Sequence, residues 1–158
     1  MGAGGTLSIV MKRQLLLGLY TLIISQLLIG CSSIYNQKWK RISETAETQE
    51  GVLGRWEGSW LSAVNAHRGK LRCIISETET AHYDFHYWAR WSVFSGTYHV
   101  TAPIQTSNSI SSFSGTKNLG KLLGGAFEFS GEIEGDEFEA TYSSKLDRGK
   151  FSLSRVKE

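Results

Sequence analysis

From Val52 onward the chain alternates apolar and polar residues almost everywhere. In "RWEGSW" the residues Trp56, Gly58 and Trp60 share one parity, as do Leu71, Cys73 and Ile75 in "KLRCIISE". Tyr83, Phe85 and Tyr87 do the same in "HYDFHYW", and Phe94, Gly96, Tyr98 and Val100 in "VFSGTYHV". Further on come Phe127, Phe129, Gly131 and Ile133, then Phe138, Ala140 and Tyr142, then Phe151 and Leu153. The other parity is mostly charged or hydroxylated. Successive side chains on a strand point to opposite faces, so this period predicts antiparallel strands with one buried face. The segment 108–118, "NSISSFSGTKN", offers one more strand with poorer alternation. Turn-forming stretches stand between the strands: "NAHRG", "ETETA", "EGDE" and "LDRG". No helical period longer than two turns follows residue 52. About eight strands joined by tight turns predict an all-β fold, an antiparallel up-and-down barrel or a closely related sandwich.

The stretch before Val52 is of another kind. Residues 14–30, "QLLLGLYTLIISQLLIG", are apolar but for Gln14, Thr21, Ser25 and Gln26, and follow Lys12 and Arg13. A positive opening, a short apolar core and small residues at its end predict a cleaved signal peptide over 1–30, with Met11 as the true start. A membrane span needs roughly 20 apolar residues, which this run does not supply. Its end, Leu28-Ile29-Gly30-Cys31, resembles the lipobox of bacterial lipoproteins. The resemblance implies that Cys31 is acylated and becomes the first residue of the mature chain, a stable membrane anchor when several acyl chains are attached. Ser32 at the next position implies export to the outer membrane, with the protein facing the periplasm.

Residues 31–158 hold all 15 acidic residues and 15 of the 17 basic ones, so the mature chain is formally neutral. A nucleic-acid partner would want a basic face, and none is expected. Once Cys31 is acylated, Cys73 has no disulfide partner, and its place among Leu71 and Ile75 reads as a small buried hydrophobe. Residues 31–51 are polar except for an aromatic pair, Tyr35 and Trp39. They read as a tether with a short helix around 35–48, leaving 52–158 as the folded domain.

Gly54-Arg55-Trp56 opens the first strand and Arg155 lies near the end of the last, an arrangement that resembles the calycins, the lipocalins and related barrels. The resemblance implies that Trp56 closes one end of the barrel and that Arg155 packs across its ring, a cation–π contact that also covers apolar surface. An eight-stranded barrel is just wide enough to be filled by side chains or to hold one small ligand. Two readings follow. Either the inward aromatics fill the barrel, or inward glycines at 58, 96 and 131 leave room. In the second case Tyr83, Phe85, Tyr87, Phe94, Tyr98, Phe127, Phe129, Phe138 and Tyr142 line a pocket for a small hydrophobic ligand, with tyrosine hydroxyls as its polar contacts.

The sharpest chemical pattern is "HYDFH". His82, Asp84 and His86 share the outward face of one strand, about 6.6 Å apart at each step, a spacing that could grip a metal, with His99 as a neighbour. The competing reading is an ordinary polar face. Asn65, His67 and Arg68 sit in the first hairpin loop, and "GKLLGG" lacks the spacing of a phosphate loop. No cofactor is expected and no catalytic set is recognisable. The expected function is a lipid-anchored envelope module that binds a small hydrophobic ligand. The alternative is a structural or inhibitor-type barrel that acts on a protein partner through loops 61–69 and 101–109.

Overall fold

The computed structural model describes residues 33–42, 51–80, 82–118 and 125–157. The expected signal peptide, Cys31 and most of "GKLLGG" lie outside them. A helix, α1, covers 33–42. Nine strands follow: β1 (Gly54–Ser62), β2 (Arg68–Glu77), β3 (Tyr83–Trp91), β4 (Phe94–Ala102), β5 (Ile104–Ser107), β6 (Ile110–Asn118), β7 (Ala126–Glu134), β8 (Glu137–Ser144) and β9 (Arg148–Arg155). They form one antiparallel sheet in the order β4-β3-β2-β1-β9-β8-β7-β6-β5. The predicted turns fall between strands, and the poorly alternating 108–118 becomes β6, where Phe113 supplies the buried side chain.

The sheet has nine strands where the sequence suggests about eight, and Pro103 is the reason. It stands alone between β4, which pairs with β3, and β5, which pairs with β6. A proline has no N–H to give to a ladder, so pairing breaks there and resumes against another partner. The sheet curls into a half-barrel around the predicted apolar face. Phe85 on β3 meets Phe113 on β6 at 4.6 Å between ring centroids, and Tyr98 on β4 meets Phe127 on β7 at 6.2 Å. Both pairs join opposite wings of the sheet. Pairing also fixes which connections share an end. The β1–β2, β3–β4 and β8–β9 connections lie at one end, with Trp91. The β2–β3, β5–β6 and β7–β8 connections lie at the other, with Trp56.

The core is built from Trp56, Leu71, Cys73, Ile75, Phe85, Tyr87, Val100, Phe113, Phe129, Ile133, Phe138 and Leu153, with others around them. The glycine at 131, expected to leave room, does not. A Cβ built there would lie 2.6 Å from the Phe113 ring, the Ala140 Cβ and the Glu139 carbonyl. Gly131→Ala should therefore cost about 1–3 kcal/mol in a denaturation experiment, the usual penalty for overpacking a filled core. An unchanged midpoint would mean that the interior has slack.

The short helix expected around 35–48 is described over 33–42, and it departs from the tether reading in being docked. This is α1, which lies across the outer face of the sheet. Tyr35 is fully buried and Trp39 nearly so, packed with Ile74 and flanked by Ile42, Trp88 and Val156. A ten-residue helix is marginal alone in water, and Tyr35 and Trp39 are spaced four apart, so both face the sheet.

Candidate functional site

The aromatics expected to line a pocket touch one another instead. Phe85 stacks on Tyr87 at 6.4 Å and meets Phe138 edge-on at 6.3 Å. Tyr87 stacks on Tyr98 at 4.9 Å, Phe127 on Phe129 at 6.1 Å and on Tyr142 at 5.9 Å, and Tyr142 on Phe151 at 4.9 Å. These are ordinary separations for packed rings. Burial pushes the Tyr87 and Tyr98 hydroxyls well above their usual range, so both remain neutral phenols. Burial raises the Cys73 thiol too, and a thiol held protonated is no nucleophile. Tyr83 is only half-buried. Phe94 is outside the core: it sits at the β3–β4 tip, 66 % exposed, and stacks on Trp91 at 6.1 Å. The strand period breaks at that tip because Ser92 takes a positive φ of 53°.

At the Trp56 end the chain is closely tied. Trp56 is fully buried, and the Arg155 guanidinium lies 4.3 Å over its ring. The two residues are direct partners in the β1–β9 ladder. The indole N–H donates to the Val52 carbonyl at 3.1 Å. Arg155 donates to the Leu53 carbonyl at 2.8 Å and to the Gly51 carbonyl, and pairs with Asp136 at 3.2 Å. Bonds from Lys157 and the charges of Lys157 and Arg155 hold the Asp136 carboxyl below its usual range.

Against this closure lies a groove of about 510 Å³. Val52, Leu53, Tyr83, Ile104 and Ile133 give it apolar walls. Thr106 and Ser111 give it hydroxyls, which share a hydrogen bond at 2.8 Å. The β5–β6 turn at its edge is a two-residue loop with Asn108 and Ser109 both at positive φ, 51° and 69°. A groove of this volume falls in the size range of small-molecule sites, and its mixture of apolar walls and few hydroxyls is their usual chemistry. Of the residues expected to line a pocket, only Tyr83 is here. Ile104 and Thr106 were unreadable as site residues because Pro103 breaks the strand pattern beside them. Another open groove, of about 540 Å³, lies on the outer wall among Gln105, Ser112, Ser130, Glu132, Glu139 and Lys150. Its rim is polar and carries the like-charged cross-strand pair Glu132 and Glu139.

The His82, Asp84 and His86 set is split three ways. The His82 Nδ1 turns to the Thr80 carbonyl at 2.9 Å. Asp84 takes the His99 Nδ1 at 3.0 Å. His86 is buried: its ring meets Tyr35 edge-on at 4.8 Å and stacks on His99 at 3.7 Å. Among the described residues no group of three or more His, Cys, Asp and Glu side chains could hold a metal ion. The sequence reading put all three in solvent. It missed that Ile74 and Trp88, apolar residues on the polar parity, mark a second contact face. Arg72 completes that face, 4.8 Å over the Trp39 ring and 5.5 Å over Trp88, while its Nε pairs with Glu57 at 2.5 Å. Burial alone would raise the Glu57 carboxyl, but its bonds to Lys70 and Arg72 outweigh that and hold it low. Compared with known proteins, the chain matches no family model, no curated protein and no solved structure.

Proposed function

We propose that this is a lipid-anchored envelope protein whose calycin-like barrel binds a small hydrophobic ligand in the groove at its Trp56 end. The groove carries this reading: apolar walls from Val52, Leu53, Ile104 and Ile133, with the Thr106 and Ser111 hydroxyls available to a polar head. The interior, where the ligand was first expected, is occupied by rings in mutual contact. The calycin reading draws support from Arg155 lying over Trp56, and it counts β4 and β5, the two edges of the nine-stranded sheet on either side of Pro103, as one strand. The lipobox resemblance supports acylation of Cys31 and residence on the outer membrane, facing the periplasm. An enzymatic reading rested on His82, Asp84 and His86, whose side chains do not converge.

A fluorescent long-chain fatty-acid analogue should bind the purified protein saturably, with one site per chain. Ile104→Asp, at a half-buried wall of the groove, should weaken that binding by about tenfold or more while circular dichroism stays unchanged. Equal binding to the variant would move the site elsewhere. No saturable signal from fatty acid, phospholipid or isoprenoid probes would end the ligand reading.

A further inference from the structure

The opposite end of the barrel carries a different surface. Among the described residues seven large apolar side chains are exposed: Ile34, Leu61, Val64, Trp91, Val93, Phe94 and Leu146. All but Ile34 lie on or beside three connections at the Trp91 end whose residues are described, β1–β2, β3–β4 and β8–β9. Val93 is 81 % exposed and Leu146 62 %. Chance scatter over a surface does not place six of seven at one end of a sheet.

The charges on these three tips are mostly basic, with the exposed Glu128 level with Arg148 two strands away. Arg68, Arg90, Lys145 and Arg148 are exposed beside these tips. Among residues 61–68, 90–94 and 144–149 the single acidic side chain is Asp147. Its carboxylate is already engaged, accepting from the Ser62 hydroxyl at 2.6 Å, the Tyr142 hydroxyl at 3.0 Å and the Arg148 N–H at 2.8 Å. The Trp56 end carries the exposed acids Glu77, Glu79, Glu134 and Glu137. Lys157 and Arg155 offset part of that charge, so the Trp91 end is the more basic of the two and the Trp56 end the more acidic.

The tips are also held relative to one another. The His67 ring stacks on Trp91 at 5.2 Å, joining the β1–β2 loop to the β3–β4 turn. The Ala63 N–H donates to the Arg148 carbonyl at 2.8 Å, and Ser62 reaches Asp147, joining the same loop to the β8–β9 turn.

We propose that the Trp91 end docks on an anionic lipid surface. The chemistry of the tips selects this partner. Trp91, Phe94, Val93, Val64 and Leu146 stand on three separate hairpins with basic side chains between them: Arg90 precedes Trp91, and Leu146 lies between Lys145 and Arg148. The centre of a protein interface is depleted of charge, whereas a bilayer surface accepts apolar side chains below its headgroups and guanidinium or ammonium groups beside its phosphates. Tryptophan favours that boundary because its ring is apolar and its N–H is polar. The site is distinct from the ligand groove and stands whether or not the groove is filled.

The test uses the chain carrying Cys31→Ser, which removes the second thiol and the acyl anchor, and Val93→Cys labelled with an environment-sensitive fluorophore, Cys73 being buried and unreactive. Labels at Ser112→Cys, on the outer wall, serve as the control. With vesicles of phosphatidylglycerol in phosphatidylcholine, the label at 93 should brighten and shift to the blue, and the label at 112 should not. The signal should fall as salt rises, since it depends on exposed charges. Replacing Arg68, Arg90, Lys145 and Arg148 by glutamine should weaken the response by about tenfold or more, with fatty-acid binding at the other end unchanged. A label at 93 that stays aqueous on anionic vesicles overturns the proposal. So does a response that phosphatidylcholine alone reproduces, or one that appears with lipid-free envelope protein and not with vesicles. Loss of fatty-acid binding in otherwise responsive protein bears on the groove only.

Discussion

Trp56→Ala will cost the fold about 4 kcal/mol, the largest single loss we expect. Trp56 is fully buried and meets Phe138 edge-on at 5.7 Å, so its removal leaves a void that the surrounding strands cannot close. It also releases the Val52 carbonyl and uncovers Arg155. Arg155→Ala acts on the same place from the other side, freeing the Leu53 and Gly51 carbonyls, and should cost about 2 kcal/mol. Arg155→Lys should rescue little, because a single ammonium cannot cover the indole and reach two carbonyls at once. The two losses should not add. The double variant should fall short of their sum by about 0.5–1 kcal/mol, the worth of a cation–π contact. Chemical denaturation of the four proteins measures the cycle. A Trp56→Ala loss below about 1 kcal/mol would mean that this end of the barrel is not the closure described here. Strict additivity would mean that Arg155 acts only through its bonds to the lead-in segment.

The strands were legible because one face had to be buried. A period of two is hard to disguise when most inward positions are aromatic or aliphatic; β7, β8 and β9 follow it closely, while β1, β2 and β3 each bury three residues in a row. The Trp56–Arg155 contact was legible from a short motif and one late arginine. The state of the interior was not. Phe113 fills the space beside Gly131 because the β6–β7 register makes them direct partners, but whether Phe85 from the other wing then closes on Phe113 no local pattern encodes. The groove was hidden for a related reason: Val52, Tyr83, Ile104 and Ile133 come from four separate segments. The docking of α1 left a faint trace, namely Tyr35 and Trp39 one turn apart and Ile74 and Trp88 on the wrong parity. Each half of that trace reads as noise until the other half is found.

Acid should loosen α1 from the sheet, and His86 is the group that couples the two. Burial, together with the positive fields of His99 and Lys38 and against the opposing carboxylate of Asp84, pushes the His86 imidazole down to about 4. The groups facing it from the packed elements are those three, and the Tyr35 ring lies edge-on above it. Its Nδ1 is buried without a hydrogen-bond partner, so an added proton there has nothing to bond. When α1 lifts away, His86 meets water and its value rises towards the ordinary one near 6.5, with His99 still stacked on it from β4. The undocked form therefore binds the proton more readily. Docking is at full strength above pH 6.5 and weakens as pH falls towards 4. The loss stays below about 3 kcal/mol over that window, because the ring is partly screened by solvent and His99 stays beside it when α1 leaves. Hydrogen exchange of the amides in 33–42 should accelerate over that window while the central strands stay protected, because a ten-residue helix has little stability of its own. His86→Phe keeps a flat ring under Tyr35 and removes the proton site, so the acceleration should vanish from the variant. Exchange that speeds up equally in both proteins would assign the effect to the carboxylate of Glu57, which pairs with Arg72 under Trp39. Exchange that is flat in both would mean that α1 is held by Trp39 on Arg72 and by Ile74, with His86 an ordinary filler beneath it.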